Sequence, residues 1–579
     1  MDLAMYLFML LGVYAASRVV GGCPDGCQCT VNKVQCLRIS EFPSTIPSTT
    51  KTLFMANTGF SSLKPSDFNH FAESLVMFLI RDSRVEEILP GTFDKTSNLV
   101  ALGLLGNELQ NLPGELFKNL RHLESLVLSN TKIRDFHPDL FSSLVALKNL
   151  DLSKNPFTSI PDGAFSHLTN LEEIILARNN ISQLSVETFR GLEKLKALRL
   201  NRNTIKEIPA GSFDDLVNLE ELSLQDNQIE HIPEHLFSKQ QKLKILYLSN
   251  NRLSLLPAGI FSNLPNLIRI TLYENQLQSI STGAFGPMAL KELWLYDNQL
   301  THLEDNVFTN LTHLQLLVLS RNNISSISAG AFSGMTELGE VSLHTNRLTT
   351  FEEGTFTGLS MLVNISLQHN QIRSLPGKLL HGLPALRKLD LHNNSLPNLP
   401  QELLDSLVMA KELILTQNPL RCDRDILPLR DWIRRYPSKV LTSSPLLCLL
   451  PAPLRNTNIA NLTNEDVMPL TTQSLTTIIS TSTHALVTPT EMRRKPHTPP
   501  PKKSTPATPA APANTISPTK QDNSGADGNE GHLSRNTVFI ICALICTAII
   551  ASAIICVCWK RRKCSSSDLH QQAKNSSII

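Results

Sequence analysis

Four cysteines near the N-terminus are the first residues whose types and spacing could do chemistry. They form the pattern Cys23-x3-Cys27-x-Cys29-x6-Cys36, which fits either a zinc site or two disulfides. Residues 3 to 16 before them are an apolar run too short to span a bilayer, followed by small residues suited to signal-peptidase cleavage. Because the compartment behind a secretion signal is oxidising, we predict disulfides and no metal. The spacing alone allows three pairings.

The motifs that catalysis usually requires are missing from the sequence. There is no nucleophile elbow, no glycine-rich phosphate loop and no His-Glu-x-x-His pair. The 16 histidines are scattered, and a formal net charge of +2 gives no basic surplus for nucleic acid. We therefore predict a protein that is not an enzyme, takes no cofactor and binds no nucleic acid.

A second group of notable side chains is aromatic. The chain has six tyrosines, and three of them, Tyr247, Tyr273 and Tyr296, follow one another with Trp294 in one part of the sequence. Large aromatic side chains with charged neighbours are typical of the residues that dominate binding energy at protein interfaces. Whether these residues share a surface depends on the elements that position them.

A repeated pattern positions them. The pattern L-x-x-L-x-L-x-x-N is clearest at residues 195–203, and its last position recurs every 25, then 24, residues with a single interval of 23. A fixed period of this length predicts a solenoid whose units bury their apolar faces against their neighbours. The 16 predicted marks are Asn57, Asp82, Asn107, Thr131, Asn155, Asn179, Asn203, Asn227, Asn251, Asn275, Asn298, Asn322, Asn346, Asn370, Asn394 and Asn418.

The residue types in each repeat have a physical explanation. In L-x-L the leucines point inward and the x positions outward, so stacked units form a parallel sheet. A column of Asn can satisfy backbone groups between coils because an amide both donates and accepts; Asp82 and Thr131 can do only part of this. A second column, ten or eleven residues after each mark, is predicted to be core: Phe68, Phe93, Phe117, Phe141, Phe165, Phe189, Phe213, Phe237, Phe261, Phe285, Phe308, Phe332, Phe356, Leu380 and Leu404.

The repeat places the aromatic residues at outward strand positions of three consecutive coils. We therefore predict a partner-binding patch on the concave sheet face, formed by Tyr247, Arg269, Tyr273, Glu292, Trp294 and Tyr296. The alternative is that these side chains pack on one another as cross-strand neighbours and stabilise the sheet.

Glycosylation motifs also occur in the repeats. Sequons that we expect to be occupied stand at Asn180, Asn310, Asn323, Asn364, Asn393 and Asn461. A glycan on Asn364, an outward strand position, would obstruct the concave surface of its coil.

The composition changes after the repeats. Residues 451–537 are rich in Ser, Thr and Pro, which predicts a disordered stalk. Residues 538–558 carry no charge and are long enough for a transmembrane helix, and the basic run at 559–563 places the following tail in the cytosol. Cys556, Cys558 and Cys564 are candidate palmitoylation sites. The C-terminal Ser577-Ile578-Ile579 weakly fits a PDZ-domain ligand.

Several stretches resemble the extracellular leucine-rich repeat, single-pass membrane family: residues 286–298, 341–346 and 422–432. The resemblance implies the pairs Cys23–Cys29 and Cys27–Cys36 in an N-terminal cap. In the C-terminal cap, Arg424 stands where the family has a second cysteine, so we pair Cys422 with Cys448. The resemblance further implies adhesion and migration through matrix proteins such as collagen, fibronectin or laminin. Alternatives are a ligand-binding subunit of an adhesion receptor complex and a shed matrix-binding protein.

Together these observations predict an α/β leucine-rich-repeat solenoid at the plasma membrane, of single-pass type I topology with the repeats outside the cell. A curved parallel β-sheet would form its concave face, and loops and short 3-10 turns its convex face. The predicted organisation is signal peptide 1–22, N-terminal cysteine cap 23–51, about 15 to 16 repeats over 52–418, C-terminal cap 419–450, stalk 451–537, transmembrane helix 538–558 and cytoplasmic tail 559–579.

Overall fold

A computed structural model describes residues 23–440 and 445–468. All of them belong to the first of two compact units, Met1–Ser474. In these two ranges, no helix has the length and apolar character needed to cross a bilayer. The predicted signal peptide, transmembrane helix, tail cysteines and C-terminal Ile579 lie outside the described residues, as does the stalk from residue 469.

The described chain is built almost entirely from short strands, each two to five residues long. The strands are β1 Cys27–Cys29, β2 Lys33–Leu37, β3 Thr52–Ala56, β4 Ser62–Leu63, β5 Met77–Arg81, β6 Glu87–Ile88, β7 Ala101–Leu105, β8 Ser125–Val127, β9 Asn149–Asp151, β10 Glu173–Ile175, β11 Ala197–Arg199, β12 Glu221–Ser223, β13 Ile245–Tyr247, β14 Arg269–Thr271, β15 Glu292–Trp294, β16 His302–Leu303, β17 Leu316–Val318, β18 Ser326–Ile327, β19 Glu340–Ser342, β20 Asn364–Ser366, β21 Lys388–Asp390 and β22 Glu412–Ile414.

Helices are few and short. Among the described residues the two α-helices are α1 Gln401–Ser406 and α2 Leu427–Arg435. Single 3-10 turns lie at Pro65–Asp67, Ala72–Ser74, Pro138–Phe141, Arg424–Ile426, Pro437–Lys439, Ala452–Leu454 and Ile459–Asn461.

One sheet of 18 strands runs through the repeats. β1 pairs with β2 in antiparallel orientation, and from β2 onward each strand pairs in parallel with the strand of the next coil. The pairs β4–β6 and β16–β18 form two small separate sheets. The predicted leucine-rich-repeat solenoid is therefore confirmed, and residues one period apart in sequence stand side by side on the large sheet, about 4.8 Å apart.

The asparagine column joins the coils in the way that the repeat predicts. Asn203 Nδ2 donates to the carbonyl oxygens of Leu176 and Leu200, both at 2.9 Å. Its Oδ1 accepts from the backbone N–H of Ile181 at 3.1 Å. Asn203 is buried, so the donor and the acceptor of one amide satisfy three backbone groups that have no access to solvent.

The first two predicted marks are wrong by one residue. Asn57 and Asp82 have positive φ values of 55° and 49°, which is the conformation that later coils adopt directly before the column residue. The buried column residues are Thr58 and Ser83, and the Ser83 Oγ accepts from the Thr58 N–H at 3.0 Å. The Ser83 hydroxyl, which also donates to the Arg81 carbonyl oxygen at 3.0 Å, takes over part of the role of the amide, whereas the buried Thr58 Oγ1 has no hydrogen-bond partner among the described residues. The sequence pattern pointed to Asn57 and Asp82 because these turn residues resemble the column.

The phenylalanine column forms a continuous core, as predicted. Its 13 phenylalanines, with Leu380 and Leu404, are all buried to 2% exposure or less. Consecutive rings lie close, for example Phe117 and Phe141 with centroids 6.3 Å apart and planes 8° apart. Each coil therefore buries its ring against the coils on both sides, which excludes a ligand-binding role for this column.

Disulfides close both ends of the solenoid. Cys23 pairs with Cys29 and Cys27 with Cys36, the pairing that the family resemblance implies. Cys422 pairs with Cys448 in the C-terminal cap. Trp432 on α2 is 5% exposed and covers the last coil as an apolar plug.

The C-terminal cap extends further than its composition suggests. Ile459 and Leu462 are fully buried although residue 451 is the predicted start of the stalk. The guanidinium of the buried Arg430 donates to the Leu462 carbonyl oxygen at 3.3 Å and to Asn464 Oδ1 at 2.7 Å. The packed cap therefore continues to about residue 467, because α2 needs an apolar and hydrogen-bonding cover on its outer side.

Replacing Asn203 by Ala should destabilise the solenoid by roughly 2 to 4 kcal/mol, because three buried backbone groups lose their partner. The matched control is Asn201→Ala in the same coil, at a half-buried outward position, which should change stability by less than about 0.5 kcal/mol. Chemical denaturation of both variants measures the difference. Equal denaturation midpoints would contradict the assigned role of the column.

Gln240 is a buried polar residue whose replacement should raise the stability of the solenoid, in contrast to the replacement of Asn203. It is fully buried where neighbouring coils have Leu216 and Leu264, and its Oε1 has no hydrogen-bond partner among the described residues. The Phe213 carbonyl oxygen that its Nε2 contacts also accepts from the Leu216 N–H at 2.9 Å. Gln240→Leu should therefore stabilise the chain by about 1 kcal/mol, measured as a higher denaturation midpoint; a lower midpoint would show that the amide is needed.

Candidate functional site

The aromatic patch, comprising Tyr247, Tyr273, Trp294 and Tyr296, lies on the face of the large sheet that points away from the core. Tyr247 ends β13 and Trp294 ends β15, and both align with Thr271 of β14 between them. Tyr273 and Tyr296 follow two residues later on adjacent coils. All four aromatic side chains are half-buried, so the parallel register brings them together without sealing them in the core.

Three of the four rings contact one another, in two geometries. Tyr273 and Tyr296 stack with centroids 4.6 Å apart and planes 6° apart. Trp294 meets Tyr296 edge to face at 6.3 Å and 76°. Aromatic pairs at such distances are favourable, so the cross-strand packing of the alternative interpretation is present. Because the rings also keep part of their surface exposed, this packing leaves a rigid, partly exposed aromatic surface.

Arg269 and Glu292, the two charged residues predicted for the site, form an ion pair with each other. Arg269 Nε lies 3.6 Å from Glu292 Oε2. The same Glu292 oxygen accepts from Trp294 Nε1 at 3.4 Å. Glu292 therefore orients the indole, and Arg269 balances its charge at the side of the patch where the strands begin.

Arg321 is a site residue that the sequence pattern missed. Its guanidinium lies over the Tyr296 ring, with Cζ 5.4 Å from the centroid, and it forms a salt bridge with Asp297. A cation over an aromatic face is attractive, and more so when partly desolvated. The sequence feature that could have indicated Arg321 is its spacing of 24 residues from Asp297, because this spacing makes the two residues neighbours on adjacent coils.

Apolar side chains that sequence reasoning also missed border the patch. Val318 of β17 stands directly beside Trp294, and Leu316 stands beside Glu292. Ile268, just before β14, is 44% exposed. In the preceding coils this position alternates between Glu and Lys, as in the 2.8 Å pair Lys244–Glu220. Ile268 interrupts this charged row within the patch, and the next coil has Lys291 at the position.

The electrostatic environment raises the pKa of Tyr296 to about 12. Burial contributes most, followed by Tyr273 and the carboxylates of Glu274 and Asp297, while Arg321 acts in the opposite direction. Negative charge near a phenol disfavours its ionisation. The hydroxyl edge of the patch therefore has a negative surrounding in spite of Arg321.

Beyond Arg321 the sheet face continues with histidines. Burial, and then the nearby charges of Arg321 and His369, lower the pKa of His344, while Asp390 and Asp297 raise it. A lowered pKa keeps this imidazole neutral at pH 7. His344 therefore adds no second cation beside the tyrosine pair under physiological conditions.

The sequon asparagines are distributed over several faces. Asn180, Asn393 and Asn461 are exposed, and the other three are half-buried. Asn364 begins β20, three coils after Trp294, and its Nδ2 donates to Glu340 Oε2 at 3.3 Å. Asn364 lies on the sheet face, where a glycan would obstruct that coil. None of the residues of the aromatic patch belongs to a sequon.

Comparison with known families agrees with this fold. Residues 158–291 match the BspA type Leucine rich repeat region in six copies. Residues 97–157, 288–344, 336–396 and 361–420 match the Leucine rich repeat family. Together the matches run from residue 97 to 420, more than half of the chain. The chain is therefore a leucine-rich repeat protein.

Individual relatives share parts of the repeat region. The chain is 36% identical over 116 residues to Nephrocan of Mus musculus, which is 20% of this chain and 22% of the relative. It is 36% identical over 126 residues to Reticulon-4 receptor-like 2 of Rattus norvegicus, 21% of this chain and 29% of the relative. The matches thus span less than a third of the length of either relative.

A solved structure extends the similarity over most of the solenoid. The Toll–Spatzle complex of Drosophila superimposes with a TM-score of 0.55 at 19% identity, over 76% of this chain and 72% of that chain. At this identity the similarity shows a common fold.

Tyr296 should ionise near pH 12, about 100-fold less readily than an ordinary tyrosine of pKa 10.0. The difference in tyrosinate absorbance at 295 nm between the wild type and Tyr296→Phe isolates this residue during a pH titration. Glu274→Gln should lower the pKa because it removes a neighbouring negative charge. An ordinary midpoint in the wild type, or a rise in the variant, would contradict the described environment.

Proposed function

We propose that this chain is a cell-surface binding protein that captures extracellular protein ligands through the aromatic patch and so mediates adhesion to the matrix or to other cells. The observation that carries the proposal is the group of four half-exposed aromatic rings on one sheet face. Tyr and Trp provide large, rigid contact areas at little entropic cost. A folded protein without a partner for such a surface would be expected to bury it or replace it by polar residues.

The construction of the patch supports binding more than stabilisation alone. The solenoid is already joined by its asparagine and phenylalanine columns, and coils such as that of β12 have Ser223 and Gln225 at the equivalent outward positions. Large outward aromatics are therefore not required for stacking. Trp294 is moreover oriented by Glu292 rather than covered by it, which leaves a pre-organised surface of the kind that dominates interface energetics.

The cellular context of the proposal comes from the sequence. The apolar start, the run at 538–558 and the basic residues after it favour a type I protein at the plasma membrane, and the stalk would hold the solenoid away from the bilayer. Residues 286–298, 341–346 and 422–432 resemble leucine-rich repeat-containing protein 15. Collagen, fibronectin and laminin are therefore the first ligands to test.

The experiment compares capture of these matrix proteins by the wild-type chain and by Tyr273→Ser/Trp294→Ser/Tyr296→Ser. The aromatic variant should lose at least about 100-fold in affinity for its ligand, because hot-spot aromatics contribute 2 kcal/mol or more each. The matched control replaces Asn201, Gln225 and Gln368 by Ser, three half-buried outward residues on other coils. It should bind normally.

Two results would contradict the proposal: normal capture by the folded aromatic variant, or an equal loss in the control. Circular dichroism and secretion levels report folding for both variants. A protein that co-purifies with the chain and is needed for capture would favour the alternative role, a subunit of an adhesion receptor complex like that of platelet glycoprotein V.

A further inference from the structure

The stacked pair Tyr273–Tyr296 has two outer ring faces, one at each end of the stack. The residues beside the pair in the same row of the sheet are Ser249 on the side of Tyr273 and Ser320 on the side of Tyr296. Both serines are buried, and the ladder bonds Asn250 N–H to Tyr273 O at 3.0 Å and Asp297 N–H to Ser320 O at 3.2 Å confirm this alignment. Because serine is short, neither outer ring face is covered by its neighbour in the row.

The outer face of Tyr296 is filled from within the protein. Arg321, from the following coil, places its guanidinium over this ring and forms a salt bridge with Asp297. Asp297 and Arg321 both occupy the turn position, the residue of positive φ directly before the column asparagine of each coil. The chain thus shows that this kind of ring face, next to a turn-position carboxylate, accepts a guanidinium.

The outer face of Tyr273 has a carboxylate but no internal cation. Glu274 occupies the turn position of its coil with φ of 53°, the same value as Asp297. It is exposed and forms no salt bridge with any described residue. The turn position of the preceding coil is Asn250, whose Nδ2 donates to Asp226 Oδ1 at 2.7 Å. Within the described chain no Arg or Lys lies over the Tyr273 ring.

We propose that the outer face of Tyr273, together with the Glu274 carboxylate, is a binding site for an arginine or lysine side chain of the protein partner, so that the segment captured by the aromatic patch is basic. This inference rests on the proposed function and adds the chemistry of the partner. The bound cation stacks on Tyr273 as Arg321 stacks on Tyr296, with Glu274 in the role of Asp297.

The surrounding charges favour a basic segment over an acidic one. The turn positions of the four coils from Asp226 to Asp297 hold three carboxylates and one asparagine. Asp226 is paired with Arg202 at 3.1 Å and Asp297 with Arg321, so Glu274 is the carboxylate of this row whose charge is left without an ion pair in the described structure. Arginine fits better than lysine, because a planar guanidinium can stack on the ring and hydrogen-bond the carboxylate at once.

The test uses the full chain and a fluorescently labelled glycine–serine peptide that carries two arginines. A peptide of the same shape with citrulline in place of arginine lacks the charge, and a third with glutamate reverses it. Fluorescence anisotropy should show the arginine peptide binding about fivefold to tenfold more tightly than the citrulline peptide, with the glutamate peptide weakest.

Variants of the site determine whether this preference arises at Tyr273. Glu274→Gln and Tyr273→Leu should each reduce the preference for arginine to about twofold or less. The matched control Glu207→Gln changes an exposed carboxylate away from the sheet face and should keep the full preference. Arg321→Ala frees Asp297 and the outer face of Tyr296, so it should increase the affinity for the arginine peptide.

Equal binding of the arginine and citrulline peptides would overturn the inference, as would a preference that survives both Glu274→Gln and Tyr273→Leu. Failure here is distinguishable from failure of the proposed function. If matrix capture depends on the aromatic patch while no arginine preference exists, the patch binds ligands but the cation site is wrong. If capture persists in the triple aromatic variant, the proposed function fails whatever the peptides do.

Discussion

The hydrogen bonds of the asparagine column are the interaction on which the rest of the structure depends. After each strand the chain makes a tight turn. The backbone N–H and C=O groups of that turn have no strand partner, and they are buried between coils. An amide that donates to two carbonyl groups and accepts from one N–H satisfies them only when the next coil sits in register. This requirement converts a period in the sequence into a fixed lateral spacing, so that residues about 24 positions apart become neighbours.

The functional surface follows from that spacing. Tyr273 and Tyr296 are 23 residues apart and stack with their ring planes almost parallel, and Arg321 reaches Tyr296 from the next coil. No local motif creates this site; the register of three parallel strands does. The inward leucines and the phenylalanine column carry the packing, which leaves the outward positions free to vary. The aromatic residues stand at some of these outward positions, in the coils where Ile268 interrupts the row of alternating Glu and Lys residues that precedes the strands.

Most of the fold could be predicted from the sequence because it is periodic. The repeat and the phenylalanine core each depend on residue type at a fixed interval, whereas the cysteine pairs followed from the family resemblance; the structure has all three. The prediction for the first two coils was wrong by one residue, because Thr58 and Ser83 carry no amide, while Asn57 and Asp82 beside them resemble the column residue in type. The cap segment was missed since Ile459 and Leu462 are isolated apolar residues in a polar stretch, and only contact with α2 buries them.

The candidate site was predicted in its aromatic members and missed at its edges. Side-chain alternation was enough to place Tyr247 and Trp294 outward. Arg321 belongs to the site because its long side chain reaches Tyr296 on the neighbouring coil, and Ile268 because its side chain is exposed. The alternation of inward and outward side chains predicts neither property.

The most direct test of the account is hydroxyl-radical footprinting of the full chain, free and bound to the matrix protein it captures among collagen, fibronectin and laminin. The account predicts that bound ligand protects Tyr273, Trp294 and Tyr296 from oxidation; unchanged oxidation of these three with protection elsewhere would contradict it.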